Sequence, residues 1–160
     1  MTQLDLFLDE EEVNTSDSVD LSDIDIDFGE ANYSQRRCSE TIRRLQSLPK
    51  GKYIIYRRDA ESGLPYVVNR HLGKRLKPSY TRDKYISVKL NFNNGKNLNG
   101  SLPYCRLYLH QIVAMAFIPN VLPKDRVEVD HIDCDKHNYA PENLRWVTHS
   151  ENIKNMWSQR

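Results

Sequence analysis

The sequence lacks any uninterrupted apolar stretch long enough to cross a bilayer, and its start lacks the basic, apolar, small-residue succession of a secretory signal. A soluble, cytoplasmic protein with no membrane partner is expected. Cysteine is scarce: Cys38, Cys105 and Cys134 lie far apart and form no C-x-x-C pair, which argues against a disulfide framework and against a structural zinc. Reduced thiols are expected. Basic residues are missing from positions 1–30, which carry eleven Asp or Glu.

The overall charge of +1 therefore conceals two opposite parts, because the other 130 residues hold 23 basic and 11 acidic side chains, a net of +12. A body so charged suits a polyanionic partner, since each neutralised phosphate releases condensed counterions and steers encounter. The acidic segment, residues 1–33, is expected to be disordered, because low hydrophobicity and self-repulsion oppose collapse. Within it, Leu21 to Phe28 alternates apolar and acidic residues. That pattern suits either a second partner peptide or a strand folded back on the basic body as a DNA mimic, which would be autoinhibitory.

Residues 34–51, with Arg36, Arg37, Arg43 and Arg44 among Ile42, Leu45 and Leu48, read as a short basic helix or linker ahead of Pro49 and Gly51. Residues 52–104 are strand-rich. Tyr53 to Arg57, Tyr66 to Asn69, Tyr85 to Asn91 and Tyr104 to Leu109 are separated by turn-rich stretches such as Asn93-Asn94-Gly95 and Asn99-Gly100, and suggest a small antiparallel sheet. Arg70, Lys74, Arg75, Lys77, Arg82 and Lys84, with His71, form a basic cluster flanked by aromatics, suited to duplex DNA. Leu109 to Phe117 has helical apolar spacing and stops before Pro119; it reads as a core helix in which His110 caps or packs.

Val127 to Asp130 alternates like a half-buried strand, Asp133 to Glu142 has no apolar run, and Leu144, Trp146 and Val147 give a second strand. Thr148-His149-Ser150-Glu151 is a capping box and starts a helix. This strand-loop-strand-helix unit can bring Asp130 and His131, at the end of its first strand, to Asn152 in the first helical turn. The fold class is α+β. A neutral imidazole with a pKa near ~6.5 can deprotonate a water that attacks a phosphodiester, the role assigned to His131. Asp130 and Asn152 offer hard oxygens for a divalent cation, a sparse set suited to Mg²⁺. Asn143 can bridge the loop and fix the imidazole.

Residues 130–152 closely resemble the HNH motif of phage and intron-encoded homing endonucleases, written D-H-x-D-G-N-K-x-N-N, then N-L-x-W-V-T, then E-N. The resemblance is strong over residues 105–156, where the segment around His110 also matches, and weak over 52–104. It implies a ββα-metal fold over residues 105–160, with His131 and Asn143 as catalytic residues, Asp130 and Asn152 as metal ligands, and Mg²⁺ as cofactor, replaceable by Mn²⁺. It implies DNA cleavage to 5′-phosphate and 3′-hydroxyl ends in a bacterial or phage-infected cell. One site per chain favours a nicking monomer. Arg145, inside the motif, joins the expected DNA contacts. Cys134 stands where the family commonly has glycine, so the turn after Asp133 is built differently if it needs positive φ. His137, Tyr139 and His149 lie outside the core pattern and read as loop or DNA-facing residues. Many relatives add a C-terminal helix-turn-helix module that this chain does not show before Arg160, implying looser sequence preference or targeting by another segment. Such a segment is present: Gln3-Leu4-Asp5-Leu6-Phe7 resembles the Q-L-S/D-L-F peptide with which bacterial replication proteins dock on the DNA polymerase sliding clamp. The rival to a nuclease is a catalytically inactive DNA-binding or clamp-binding adaptor derived from one.

Overall fold

β-branched and aromatic quartets nucleate the first half of the chain. In the computed structural model, which describes residues 18–24, 35–91 and 103–159, Tyr53–Tyr56 (β2) and Tyr66–Asn69 (β3) bury alternate side chains and pair antiparallel from Tyr53↔Asn69 to Tyr56↔Tyr66. Their connection is a turn in which Asp59 accepts hydrogen bonds from both the backbone and the hydroxyl of Ser62. The two-residue β4, Lys74–Arg75, extends the sheet beyond β3, and β1, Ser18–Asp20, lies on its other side against β2.

A second antiparallel sheet holds Ser79–Tyr80 (β5), Ile86–Asn91 (β6) and Tyr104–Tyr108 (β7) in sequence order. The strand region thus divides into two sheets rather than the one expected. They are joined at Asn91, whose N–H donates to the Tyr53 hydroxyl at 2.8 Å while its carbonyl accepts from the Lys52 ammonium at 2.8 Å. The helix α1, Gln35–Gln46, buries Ile42 and Leu45 in the core and bonds the following helical segment through Thr41, whose hydroxyl donates to Gln111 at 3.2 Å. The turns around Asn93 to Gly95 and Asn99-Gly100 lie outside the described residues.

β7 runs directly into α2, Leu109–Phe117, the helix its apolar spacing predicts; Ile112, Val113 and Ala114 are fully buried. A two-stranded hairpin of Glu128–His131 (β8) and Leu144–Val147 (β9) follows, in register Glu128↔Val147 to His131↔Leu144. The Trp146 indole N–H donates to the Ile118 carbonyl at 3.0 Å, which ties the hairpin to the end of α2. α3, His149–Ser158, starts at the capping box legible in the sequence: Thr148 accepts from the Glu151 N–H, and Glu151 reaches back to the Thr148 N–H. One apolar cluster joins all three sheets to α1 and α2. No described helix is long and apolar enough to cross a membrane.

Part of the acidic segment departs from the expectation of disorder. Ser18, Val19 and Asp20 pair with Tyr56, Ile55 and Ile54. A single 3-10 turn follows, Leu21–Asp23, capped by the Asp20 carboxylate at 2.9 Å from the Ser22 N–H. Leu21 and Ile24 then enter the core at 1% and 6% exposure. The composition is acidic, but its few apolar residues fall where one sheet edge and α1 can cover them. Gln3 to Phe7 lies outside the described residues.

If residues 18–24 are an integral part of the sheet, Leu21→Ala lowers the unfolding free energy by about 2–4 kcal/mol, the cost of truncating a buried leucine. Urea titration checks this; an unchanged midpoint would show that the segment carries no packing energy.

Candidate active site

The site is built on the β8–β9 hairpin and the start of α3. The first part of the loop between the two strands, Asp133 to Asn138, is polar apart from Cys134, so polar bonds must hold it, and Asn143 supplies them. Its side-chain oxygen accepts from the Asp133 N–H at 3.1 Å, and its amide nitrogen donates to the Asp133 carboxylate at 2.9 Å and to the Asn138 carbonyl at 2.8 Å. Its own carbonyl accepts from the Ile132 N–H at 2.8 Å. Asp133 is held below the usual carboxylate range by its bonds to Asn138 and then Asn143. The turn following Asp133 does require a left-handed residue, and Cys134 supplies it at φ 59°. The backbone takes the conformation glycine would adopt, with a thiol in place of hydrogen.

His131 is the last residue of β8 and its imidazole is buried. It sits against two rings, His110 at 5.0 Å and Tyr85 at 6.0 Å between centroids. Its Nε2 is buried and has no hydrogen-bond partner. Burial lowers the His131 pKa; the nearby carboxylates of Asp130, Asp133 and Asp135 oppose that shift in part. His110, deeper still, is pushed down to about 3, chiefly by burial and then by the charges of His131 and Lys136. Two neutral imidazoles therefore lie against each other at neutral pH, tilted by 53°, the inner one as a wall, packed as well on Tyr85 and Tyr108.

Asp130 is also buried, and one of its oxygens, Oδ2, accepts three N–H donors: Arg145 Nε at 3.0 Å, Arg145 Nη2 at 2.9 Å and Asn155 Nδ2 at 2.9 Å. Asn152 does not touch that carboxylate. Its Nδ2 donates to Glu128 Oε2 at 2.7 Å, one pleat back on the same face of β8, while Glu128 Oε1 lies 2.8 Å from His149 Nδ1. The helix thus meets the strand through two parallel pairs, Asn152 on Glu128 and Asn155 on Asp130. Sequence reasoning missed Glu128 and Asn155. Their spacing, two before Asp130 on a strand and three after Asn152 on a helix, was the available signal.

The donor chemistry fits a hard divalent cation. With Asn152 Nδ2 engaged by Glu128, the amide oxygen is left as an acceptor, and among the described residues no donor reaches Asp130 Oδ1. Asp130 already holds a positive charge, the guanidinium of Arg145, which bonds this carboxylate while its side chain stays 43% exposed. No cluster of three His, Cys, Asp or Glu side chains occurs among the described residues, so carboxylate density alone would not reveal such a site.

The expected DNA-facing cations divide. Arg70, Lys74, Lys77, Arg82 and Lys84 are exposed. Arg75 is paired with Asp59 at 2.6 Å and lies over the Tyr66 ring at 3.8 Å, a contact that holds the Asp59 carboxyl at about 2. His137 packs edge-on against Tyr80, and Tyr139 is buried in the core rather than facing outward.

Comparison with known proteins places this geometry. The sequence model of the HNH endonuclease family matches residues 107–154. The DNA endonuclease I-HmuI of Bacillus phage SP01 is 33% identical over 87 residues, 54% of this chain and 44% of that protein. Two uncharacterized HNH endonucleases of Acanthamoeba polyphaga mimivirus are 32% identical over 87 residues and 44% identical over 46 residues, spanning 23% and 12% of their lengths. The match thus covers less than half of each of these relatives. A solved structure, described as DNA binding and cleavage by the HNH homing endonuclease I-HmuI, superimposes with a TM-score of 0.54 at 29% identity, covering 69% of this chain and 54% of the other. The hairpin carrying Asp130, His131 and Asn143, and the start of the helix with Asn152, fall inside the matched segment; residues 107–154 are an HNH endonuclease domain, homologous to that of the phage homing endonuclease I-HmuI.

Proposed function

We propose that this chain is a divalent-metal-dependent endonuclease that nicks duplex DNA, leaving 5′-phosphate and 3′-hydroxyl ends. The observation that carries the reading is the juxtaposition, at the end of one strand of an HNH domain, of a buried neutral imidazole and a buried carboxylate. His131 accepts the proton of the attacking water as its oxygen bonds to phosphorus and the bond from phosphorus to the 3′ oxygen breaks. Asn143 keeps the loop closed so that the imidazole is held against His110 and Tyr85 instead of rotating freely. A Mg²⁺ or Mn²⁺ ion held by Asp130 and Asn152 would stabilise charge on the phosphoryl and departing oxygens. The exposed cations of residues 70–84 bind the backbone and keep register, a sequence-independent role. We further propose that Gln3, Leu4, Asp5, Leu6 and Phe7 bring the enzyme to replicating DNA by docking on a sliding clamp, a reading supported by the sequence pattern alone.

Incubated with supercoiled plasmid or candidate phage DNA, the chain is expected to produce open circles with Mg²⁺ or Mn²⁺ and none with EDTA, and His131→Ala to lose at least ~10²-fold in rate. Binding without cutting under all conditions would replace the nuclease with the adaptor reading. The pH dependence has a definite sign. Burial disfavours the imidazolium, so the base stays neutral to a lower pH than free imidazole does. The acid limb of kcat/KM is therefore expected to be centred below ~6.5, the ordinary histidine value; a limb at or above it would count against His131 as the base. For the clamp, a peptide of residues 1–12 is expected to bind a bacterial sliding clamp in fluorescence anisotropy and to lose binding with Leu6 and Phe7 changed to alanine. Equal binding by both peptides would remove the docking assignment.

A further inference from the structure

Lys136 lies in the loop of the HNH domain, between Asp135 and His137, and has no place in the chemistry above. Its ammonium reaches across 53 residues of sequence to donate to the Asp83 carbonyl at 3.1 Å, and it sits 4.2 Å from the centroid of the Tyr85 ring. Tyr85 in turn packs on both His131 and His110. The turn it reaches is itself tightly built: Thr81 and Tyr85 bond through their backbones at 2.9 Å, the Lys84 N–H donates to the Thr81 carbonyl at 3.0 Å, and Lys84 adopts φ 67°. Arg82 and Lys84 are exposed on this turn, as is Lys136 beside it. Among the described residues no carboxylate pairs with any of the three; the nearby Asp133 is engaged by Asn138 and Asn143, and Asp135 accepts from the backbone of His137.

Three exposed cations thus belong to two separate parts of the chain that meet where Lys136 bonds the Asp83 carbonyl, beside the Tyr85 ring that packs on both histidines. An ammonium has three N–H donors, and one of those of Lys136 is used. The aromatic face and the carbonyl fix its position, so the remaining donors are presented without the rotamer entropy that a free lysine would lose on binding.

We propose that Lys136, with Arg82 and Lys84, forms a phosphate clamp that holds the strand to be cut, Lys136 contacting a backbone phosphate beside the scissile bond. The assignment rests on the nuclease reading and adds to it a contact between the catalytic loop and the substrate backbone. It makes the β5–β6 turn part of the cleavage site and not only of a remote binding face.

The test is binding of a short duplex containing the mapped cut site, measured in EDTA across a salt series, for the intact chain, Lys136→Gln and Lys136→Arg. The expected result is that Lys136→Gln reduces the slope of log affinity against log salt by about 1, as loss of one phosphate contact does, and weakens binding several-fold, while Lys136→Arg retains both. Replacing single phosphates by uncharged methylphosphonates locates the contact: next to the cut, one substitution should weaken the parent but leave Lys136→Gln unchanged. A lower unfolding temperature for Lys136→Gln with an unaltered salt slope would make Lys136 a structural tether and overturn the clamp. Duplex binding by the parent with no response to Lys136→Gln removes the clamp alone, whereas a parent that binds no duplex removes the nuclease reading as well.

Discussion

Much of the site depends on one side chain. Asn143 donates twice and accepts once within a loop whose first part, Asp133 to Asn138, is polar apart from Cys134, and its backbone carbonyl closes the loop base on Ile132. Tyr139 and Pro141 anchor the far end of the loop by burial, but the exposed stretch from Asp133 to His137 buries no apolar side chain, so its geometry rests on its polar bonds. Everything reactive is fastened to that loop or to its first residues: His131 at its entrance, Lys136 within it, and Cys134 in the left-handed turn between them. An alanine at 143 would leave the Asp133 N–H and the Asn138 carbonyl without this partner, and the His131 imidazole beside a loop with fewer constraints.

How much could be read in advance follows from the range of the interactions. The capping box at Thr148, the helix from Leu109 to Phe117 and the hairpin strands were legible because each is decided by residues within a few positions of one another. The order of residues 18–24 was not, because its determinant is a sheet edge more than thirty residues away, against which Val19, Leu21 and Ile24 can be covered whatever the charge between them. The division of the strands into two sheets was hidden for the same reason: it is fixed by contacts such as that of Tyr53 with Asn91, on which no local period bears. At the site, the residue types were legible but their pairing was not. Asn152 and Asn155 lie one turn apart on the same side of α3, and only the docking of that helix on β8 decides which of them meets Asp130 and which meets Glu128.

The electrostatics of the pocket are consistent with a base that must be neutral to act. Burial disfavours charge on both His131 and His110, and the ammonium of Lys136 disfavours it further. Against this stand Asp130, Asp133 and Asp135, whose charges would pull a proton onto His131. Their influence is blunted by how they are bonded: Asp130 is answered by Arg145, and Asp133 by two asparagine amides. The outcome is set by solvation more than by net charge, since a carboxylate whose field is already met by a guanidinium has less to offer a second neighbour.

That arrangement also explains why the half-exposed Arg145 is bonded to a carboxylate in a basic protein. Asp130 is almost completely removed from water, and a buried carboxylate without a counter-charge would be strongly destabilising. Arg145, directly opposite it across the hairpin register, answers that need with two bonds to a single oxygen, and Asn155 adds a third. The other carboxylate oxygen is thereby left without a donor among the described residues, while exposed cations lie elsewhere, at Arg70, Lys74 and Lys77 and on the turn carrying Arg82 and Lys84. Stability of the hairpin and attraction for phosphate are assigned to different cations, which is why substituting one set should alter folding and substituting the other should alter salt dependence.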